Sequence, residues 1–533
     1  MIIENVRIYS PDRLYNPDKT YSLHIEDGVF TKVQEGSTGE IGAIDGEGRT
    51  VAAGFIDSHM HLLRYGLLKK ELDLTEVTSW EDMKQEVEKH YTSIEDKNWI
   101  FGKGFDDAKF KDIDHLLTSE DLNEIDVNKH MYFMHHDQHE CVISNKLLKK
   151  LEEEEDFYKQ PEVFKERDQE GNLTGRFKDT MVHFINYHLW ERSIEDTKKA
   201  LCEAIPFLLQ NGVTSVHSDD RSFVGSYKTL WDAYEQVEAQ GDLHIEAFLH
   251  HYVYDEKDLD DFIRDMSFRT GEGTNHVKVG SIKIFLDGTQ RLHTAAMRQP
   301  YPDAPETTGQ LIYPQEDLNR MVRKASEAGM QVAMHALGDR AVESALIALE
   351  QEEANTHQLR HRIIHAQTLG EDLLERLGEV GAYIETQPTF LMAEWDKKGK
   401  WSPEELLPYC DSFKKMLTHQ IPITLSSDAP IGSINPIDSV FAAVNRVDDN
   451  HNPKGGWMPQ EKLTIDESFK AFSETPAHLE FQEQRKGQIK EGYQADFVFL
   501  NKFPSETDPL QLRSITVEET WTKGTCVYNR KDS

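Results

Sequence analysis

Through the middle of the chain, short apolar runs rich in β-branched residues alternate with longer charged stretches whose apolar positions recur at helical spacing. Residues 213–217, 277–286, 331–335, 362–365, 382–386 and 423–427 have the length and composition of buried strands, and charged helical patterns follow them. Strand followed by helix, repeated, specifies a parallel sheet. Closing that sheet into a barrel brings the residues at its strand ends to one mouth. Both ends of the chain differ in texture: residues 1–9, 21–26, 28–34 and 50–52, and later 487–489, 495–500 and 514–528, read as short strands between turns. The stretch from about 67 to about 193 is richer in Lys, Glu and Asp and breaks the rhythm, which predicts an insertion after the first barrel strand.

The predicted strand ends carry the candidate chemistry. In AGFIDSHMHL an apolar run ends in His59 and His61, and residues two apart on a strand face the same way. Two imidazoles presented together can bind one divalent ion. His335 closes the run VAMH, His365 closes RIIH, and Asp428 closes ITLSSD. Each alone is more often a structural residue that satisfies its own hydrogen bonds. Converging on one barrel mouth, they would make a nitrogen-rich site with a carboxylate, suited to Zn²⁺ or a related metal. Lys283 lies between Ile282 and Ile284 in a strand, where an ammonium is costly to desolvate. It needs a partner, such as Asp287, or a modification. Carboxylation by CO₂ would turn it into an anionic two-oxygen ligand able to bridge two metals.

Charge and composition narrow the functional classes. Among 533 residues, 95 Asp and Glu face 59 Lys and Arg, a net charge of -36 that repels nucleic acid and anionic membrane surfaces. A small-molecule substrate is therefore expected. The four cysteines are widely spaced and form no Cys-x-x-Cys pair, so neither a disulfide framework nor a thiolate zinc site is expected. The opening MIIENVRIYSPD carries early charges and no signal-type apolar core, and no uncharged run approaches the roughly 18 residues of a membrane span. A cytoplasmic protein is expected, with a homodimer as the default assembly.

At this point the motifs show a resemblance. GFIDSHMHL, IKIFLDGT with TAAM and PYPDAP, MHALGDRAV, RHRIIHAQ, TQP and SSDAPIGSINP stand in an order that resembles the amidohydrolase superfamily, in its amidohydrolase 3 branch, which includes N-substituted formamide deformylase. WIFGKGFDD, HDQHECVISN and QEGNLTGRF in the insertion, and ETPAHLEF and KGQIKEGYQADFVFL near the end, extend the similarity over nearly the whole chain. The resemblance implies an α/β fold: a distorted (β/α)8 barrel of TIM type over residues 55–480, with a small β-sandwich that residues 1–54 and 481–533 complete together.

It also implies roles for individual positions. His59 and His61 look like ligands of the more buried metal, His335 and His365 like ligands of a second, and Lys283 like a carboxylated bridge. Asp428 resembles the residue that touches metal and takes the proton of water. His139, Arg291 and Gln387 are candidate substrate-binding residues. The implied activity is hydrolysis of carbon–nitrogen bonds other than peptide bonds, using one or two divalent ions, zinc first among them. One alternative is a mononuclear deaminase of a nucleobase-like ring, which usually needs a Glu soon after the strand-five His; MHALGD supplies none. Another is a non-catalytic binding relative, whose signature would be lost ligands. The loop DGTQRLHTAAM carries bulky Gln290, Leu292 and His293 where relatives often have small residues, which bears on the substrate and leaves the metal centre untouched.

Overall fold

The computed structural model describes residues 1–69, 71–93, 99–136, 139–189 and 192–532. Asp137 and Gln138 of the HDQHECVISN segment lie outside the described residues. At the centre stand eight parallel strands: β1 (Phe55–Met60), β2 (Val213–Asp219), β3 (Glu246–Tyr252), β4 (Val277–Phe285), β5 (Val332–Ala336), β6 (Arg362–His365), β7 (Tyr383–Thr386) and β8 (Ile423–Leu425). Each pairs in parallel with its neighbour in this series, so the strands stand in the sheet in sequence order from β1 to β8. The edges then approach each other: Asp428 N–H donates to His59 O at 2.8 Å, His61 N–H to Ala429 O at 2.8 Å, and Ser58 Oγ meets Thr424 Oγ1 at 2.7 Å. This is a nearly closed barrel, the closure that the alternating pattern predicts and the barrel that the resemblance implies.

Every residue of β2, β3, β5 and β6 is buried. Helices cover the outer face of such strands and side chains fill the inner one, so even their polar residues, among them His217, His250 and Arg362, are buried. Local signals set the helices between them. Ser193 caps Ile194–Gln210 by accepting from Asp196 N–H at 3.1 Å, and Asp255 caps Glu256–Asp265 through Asp258 N–H at 2.7 Å. Glu371–Val380 stops at Gly381, whose φ of 71° is the left-handed conformation that glycine adopts cheaply. Each helix lays its buried leucines and valines on the barrel, which shares one apolar core with them.

Two further sheets frame this body. Strands from both chain ends hydrogen-bond along one path, in which Phe497–Leu500 lies antiparallel to Thr50–Ala53 and their Phe497 and Ala53 pair. The two ends thus meet in a common sheet with its own apolar core around Phe30, Phe497 and Trp521. Between β1 and β2, the described residues form a six-stranded sheet whose strands run from Leu72–Asp73 to Leu173–Lys178, and the helix Thr180–Leu189 returns from it toward the barrel. Among the described residues, no helix is long and apolar enough to cross a membrane.

Candidate metal centre

One set of the barrel's polar side chains gathers at the end where the strands finish. His59 is the penultimate residue of β1, and His61 follows one residue after its end; His335 is the penultimate residue of β5, and His365 ends β6. Lys283 sits near the end of β4, and Asp428 three residues beyond β8. The register pairs Phe285 with His335 and Ala336 with His365, so neighbouring strands deliver their imidazoles at nearly one height. All six residues line one small cavity of about 40 Å³.

Distances within the cavity are short. Asp428 Oδ1 lies 3.2 Å from His61 Nε2 and 3.5 Å from His59 Nε2. Lys283 Nζ stands 3.4 Å from the same His59 nitrogen. The rings of His335 and His365 are edge to face with centroids 4.8 Å apart, and His365 lies 5.9 Å from His59. His335 stacks on Phe285, and its Nε2 is 3.4 Å from Gly288 O.

Neighbouring groups fix which nitrogen each ring presents. His61 Nδ1 donates to the Asp219 carbonyl, which leaves Nε2 facing Asp428. His365 Nδ1 donates to Gln387 Oε1 at 2.6 Å. The amide of Gln387 is itself oriented, because its Nε2 donates to Ser426 Oγ at 2.9 Å. Metal-binding imidazoles are typically held in this way by a hydrogen bond at the far nitrogen. The backbone is strained at the same places: φ is 74° at His365, 46° at Ala366 and 51° at Asp428. A non-glycine residue there costs on the order of 1–3 kcal/mol, a strain that clusters at functional sites.

Burial and mutual charge shift the protonation of these groups. Burial, together with the nearby Lys283, holds His59 well below the ordinary imidazole range, and burial brings His365 down to about 4 despite Asp428. For His61 burial also pushes down, but the close approach and negative charge of Asp428 win and raise it to about 9. Burial alone would raise the Asp428 carboxyl; the His61 contact overrides it and holds the group below its usual value. Burial lowers Lys283, opposed by the charges of Asp219 and Asp428. The partner expected for that lysine is engaged elsewhere: Lys283 is fully buried, and Asp287 accepts backbone N–H groups from Ala296, Leu337 and Gly338 at 2.8, 3.1 and 2.9 Å.

These residues fit a divalent cation. Asp428 Oδ1 is buried and forms no hydrogen bond of acceptable geometry, although two imidazole nitrogens approach it. One donor atom each from His59, His365 and Asp428 lies within 4.8 Å of the others. Convergent nitrogen and oxygen donors without directed hydrogen bonds among them are what a shared cation requires.

Beside the cavity opens a larger chamber of about 370 Å³, within the size range of small-molecule pockets. His139, His335 and His365 line both spaces, so the chamber communicates with the candidate metal centre. His139 Nδ1 lies 3.2 Å from Asp179 Oδ1. Arg291 lies on the chamber wall, where its guanidinium donates to Glu140 Oε1 at 2.9 Å. Gln387 sits behind His365 and does not line either cavity. The structure adds residues that no sequence motif marked: His183 on the helix Thr180–Leu189, Met134 from the inserted sheet and Phe223 after β2 also line the metal cavity. Burial takes His183 down to about 3, and its ring packs on Phe285 with centroids 4.7 Å apart.

Comparison with known proteins bears on the family and the fold. The sequence profile of the amidohydrolase family matches residues 42–528. The protein YtcJ of Bacillus subtilis is 29% identical over 96% of each chain. The N-substituted formamide deformylase of Arthrobacter pascens is 23% identical over 95% of this chain and 93% of its own. Among solved structures, an uncharacterized metal-dependent hydrolase from Pyrococcus horikoshii superposes with a TM-score of 0.75 at 25% identity, covering 99% of both chains.

Proposed function

Because the chain belongs to the amidohydrolase family and is a metal-dependent hydrolase, we propose that it cleaves carbon–nitrogen bonds other than peptide bonds, in an amide, formamide or cyclic amide. The observation that carries this reading is Asp428 Oδ1, buried between the Nε2 atoms of His59 and His61 with no directed hydrogen bond. The similarity to a relative named as a formamide deformylase supports the bond class.

On this reading His59 and His61 hold one ion and His335 and His365 a second. Lys283, whose amine burial pushes toward its neutral form, would add CO₂ with loss of one N–H proton, giving a carbamate whose oxygens would be ligands for the ions. Zn²⁺ or a related cation would supply Lewis acidity toward water and toward the substrate carbonyl. Asp428, held ionised by His61, accepts the proton of the attacking water and returns it to the departing amine. Such general base and acid work contributes about 10²–10⁴ in rate. His139 and Arg291 orient the substrate from the chamber, and Gln387 keeps His365 Nε2 turned to the cavity. Met134 and the helix carrying His183 help to close the site against bulk water.

The test is a panel of formamides, N-acyl amino acids and cyclic amides offered to metal-loaded protein. Release of amine and acid from at least one class, abolished by a chelator, is expected. Hydrolysis of esters or lactones with no carbon–nitrogen substrate turned over would contradict the bond class.

A further inference from the structure

Deeper in the barrel, three side chains end in polar atoms that nothing satisfies. His59 Nδ1, His250 Nε2 and Glu385 Oε2 are all buried without a hydrogen-bond partner. His250 comes from β3 and Glu385 from β7, and both are fully buried. The three residues form one group, in which a nitrogen or oxygen from each lies within 4.8 Å of the others, and the rings of His59 and His250 are 6.2 Å apart. Grouped this closely yet without direct hydrogen bonds for these atoms, the three side chains suit one bridging molecule.

Proton positions decide what the bridge is. Ser281 N–H donates to His250 Nδ1 at 3.1 Å, so that nitrogen carries no proton and the imidazole proton sits on Nε2. A protonated nitrogen is not a metal ligand. A cation also stands close: Arg362 pairs with the other oxygen of Glu385. A second metal ion is thus disfavoured at this point. If His59 coordinates metal through Nε2, its Nδ1 carries a proton as well. The set then offers two N–H donors and one carboxylate acceptor. A single water accepts two hydrogen bonds and donates onward, so it satisfies all three atoms at once.

We propose that His59 Nδ1, His250 Nε2 and Glu385 Oε2 hold one ordered water inside the barrel, and that His250 and Glu385 are through it positioning residues for the metal ligand His59. The inference rests on the reading of His59 as a ligand through Nε2. Its role is to fix the tautomer and tilt of that ring from behind, as outer-shell hydrogen bonds do for metal-bound histidines. It gives the barrel interior a function beyond packing.

A crystal structure of the zinc-loaded protein, with anomalous data at the zinc edge, tests this together with two variants. The expected density is one water peak at about 2.7–3.2 Å from all three atoms, without anomalous signal. His250→Leu, which removes the N–H donor, should weaken zinc binding about 10–100-fold in a chelator competition, and His250→Gln, which retains an N–H, should recover most of that loss. If His59 binds zinc through Nε2 while the position is empty or holds an anomalous scatterer, the water is wrong and the metal reading stands. If His59 touches no metal, the metal reading itself fails and takes the water with it. Wild-type zinc affinity in a folded His250→Leu protein would overturn the positioning role.

Discussion

The two ends of the barrel both bury ionisable groups and treat them in opposite ways. At the starts of the strands, Glu246 of β3 accepts from Lys486 at 3.0 Å, Arg485 at 2.9 Å and Gln494 at 3.2 Å. Lys486 also donates to Ser215 Oγ at 2.9 Å and pairs with Glu480, which in turn meets His217 Nε2 at 3.0 Å. None of the side-chain atoms of Glu246, Lys486 or Glu480 is left unpaired. At the strand finishes, Asp428 Oδ1, His59 Nδ1 and Asp219 Oδ1 are buried with their hydrogen bonding unmet. A closed network ties β2 and β3 to the segment leading into the last strands and has nothing left to offer a ligand. An open one is a set of donors awaiting a partner, and it lies on the face where barrels of this type do chemistry.

The sharpest way to break this contrast is Asp428→Asn. Turnover should fall about 10²–10⁴-fold while the thermal midpoint changes little; equal turnover would move the proton-transfer role elsewhere. Next, Lys283→Ala should strip most of the bound metal, with partial rescue by a small carboxylic acid. Undiminished metal content by mass spectrometry would rule out the bridge. At the opposite end, Glu246→Ala should cost about 3–5 kcal/mol in denaturant unfolding, because it leaves buried Lys486 short of a counter-charge. The kcat of the folded fraction should stay at the wild-type value, and a large loss of kcat would deny that the two ends are functionally separate.

The smallest effect is on pH dependence. Burial alone would raise the Glu246 carboxyl, but the charges of Lys486, Arg485 and Lys523 hold it well below its usual range. Its share of stability is therefore present above the unfolded carboxylate value of about 4.3 and is lost as pH falls toward the lower folded value. The difference in thermal midpoint between wild type and Glu246→Gln should shrink as pH drops below about 4. A difference that widened on acidification would show the sign to be wrong.

The site was legible in the sequence to the extent that backbone periodicity carries it. His59, His335, His365 and Asp428 stand at ends of apolar runs, so reading strands already places them at one mouth. Lys283 announced itself by being charged where its neighbours are buried. His183 and Met134 gave no such signal, since they reach the cavity only through the docking of the inserted sheet and helix, a long-range packing that local pattern does not encode. Gln387 was picked out among substrate contacts and lies behind His365, hydrogen-bonded to it, because one residue beyond the end of β7 the side chain turns between β6 and β8. The His250 and Glu385 pair escaped notice for a related reason: a histidine or glutamate inside a strand looks structural until its partners are known.

The central claim is that side chains from distant parts of the chain share a catalytic cation. Metal analysis of the purified protein, paired with turnover before and after chelation and reconstitution, tests it most directly. Bound divalent metal should be present, activity should vanish on its removal, and Zn²⁺ or Mn²⁺ should restore it. Metal-free protein that hydrolyses its substrate at the full rate would contradict the account.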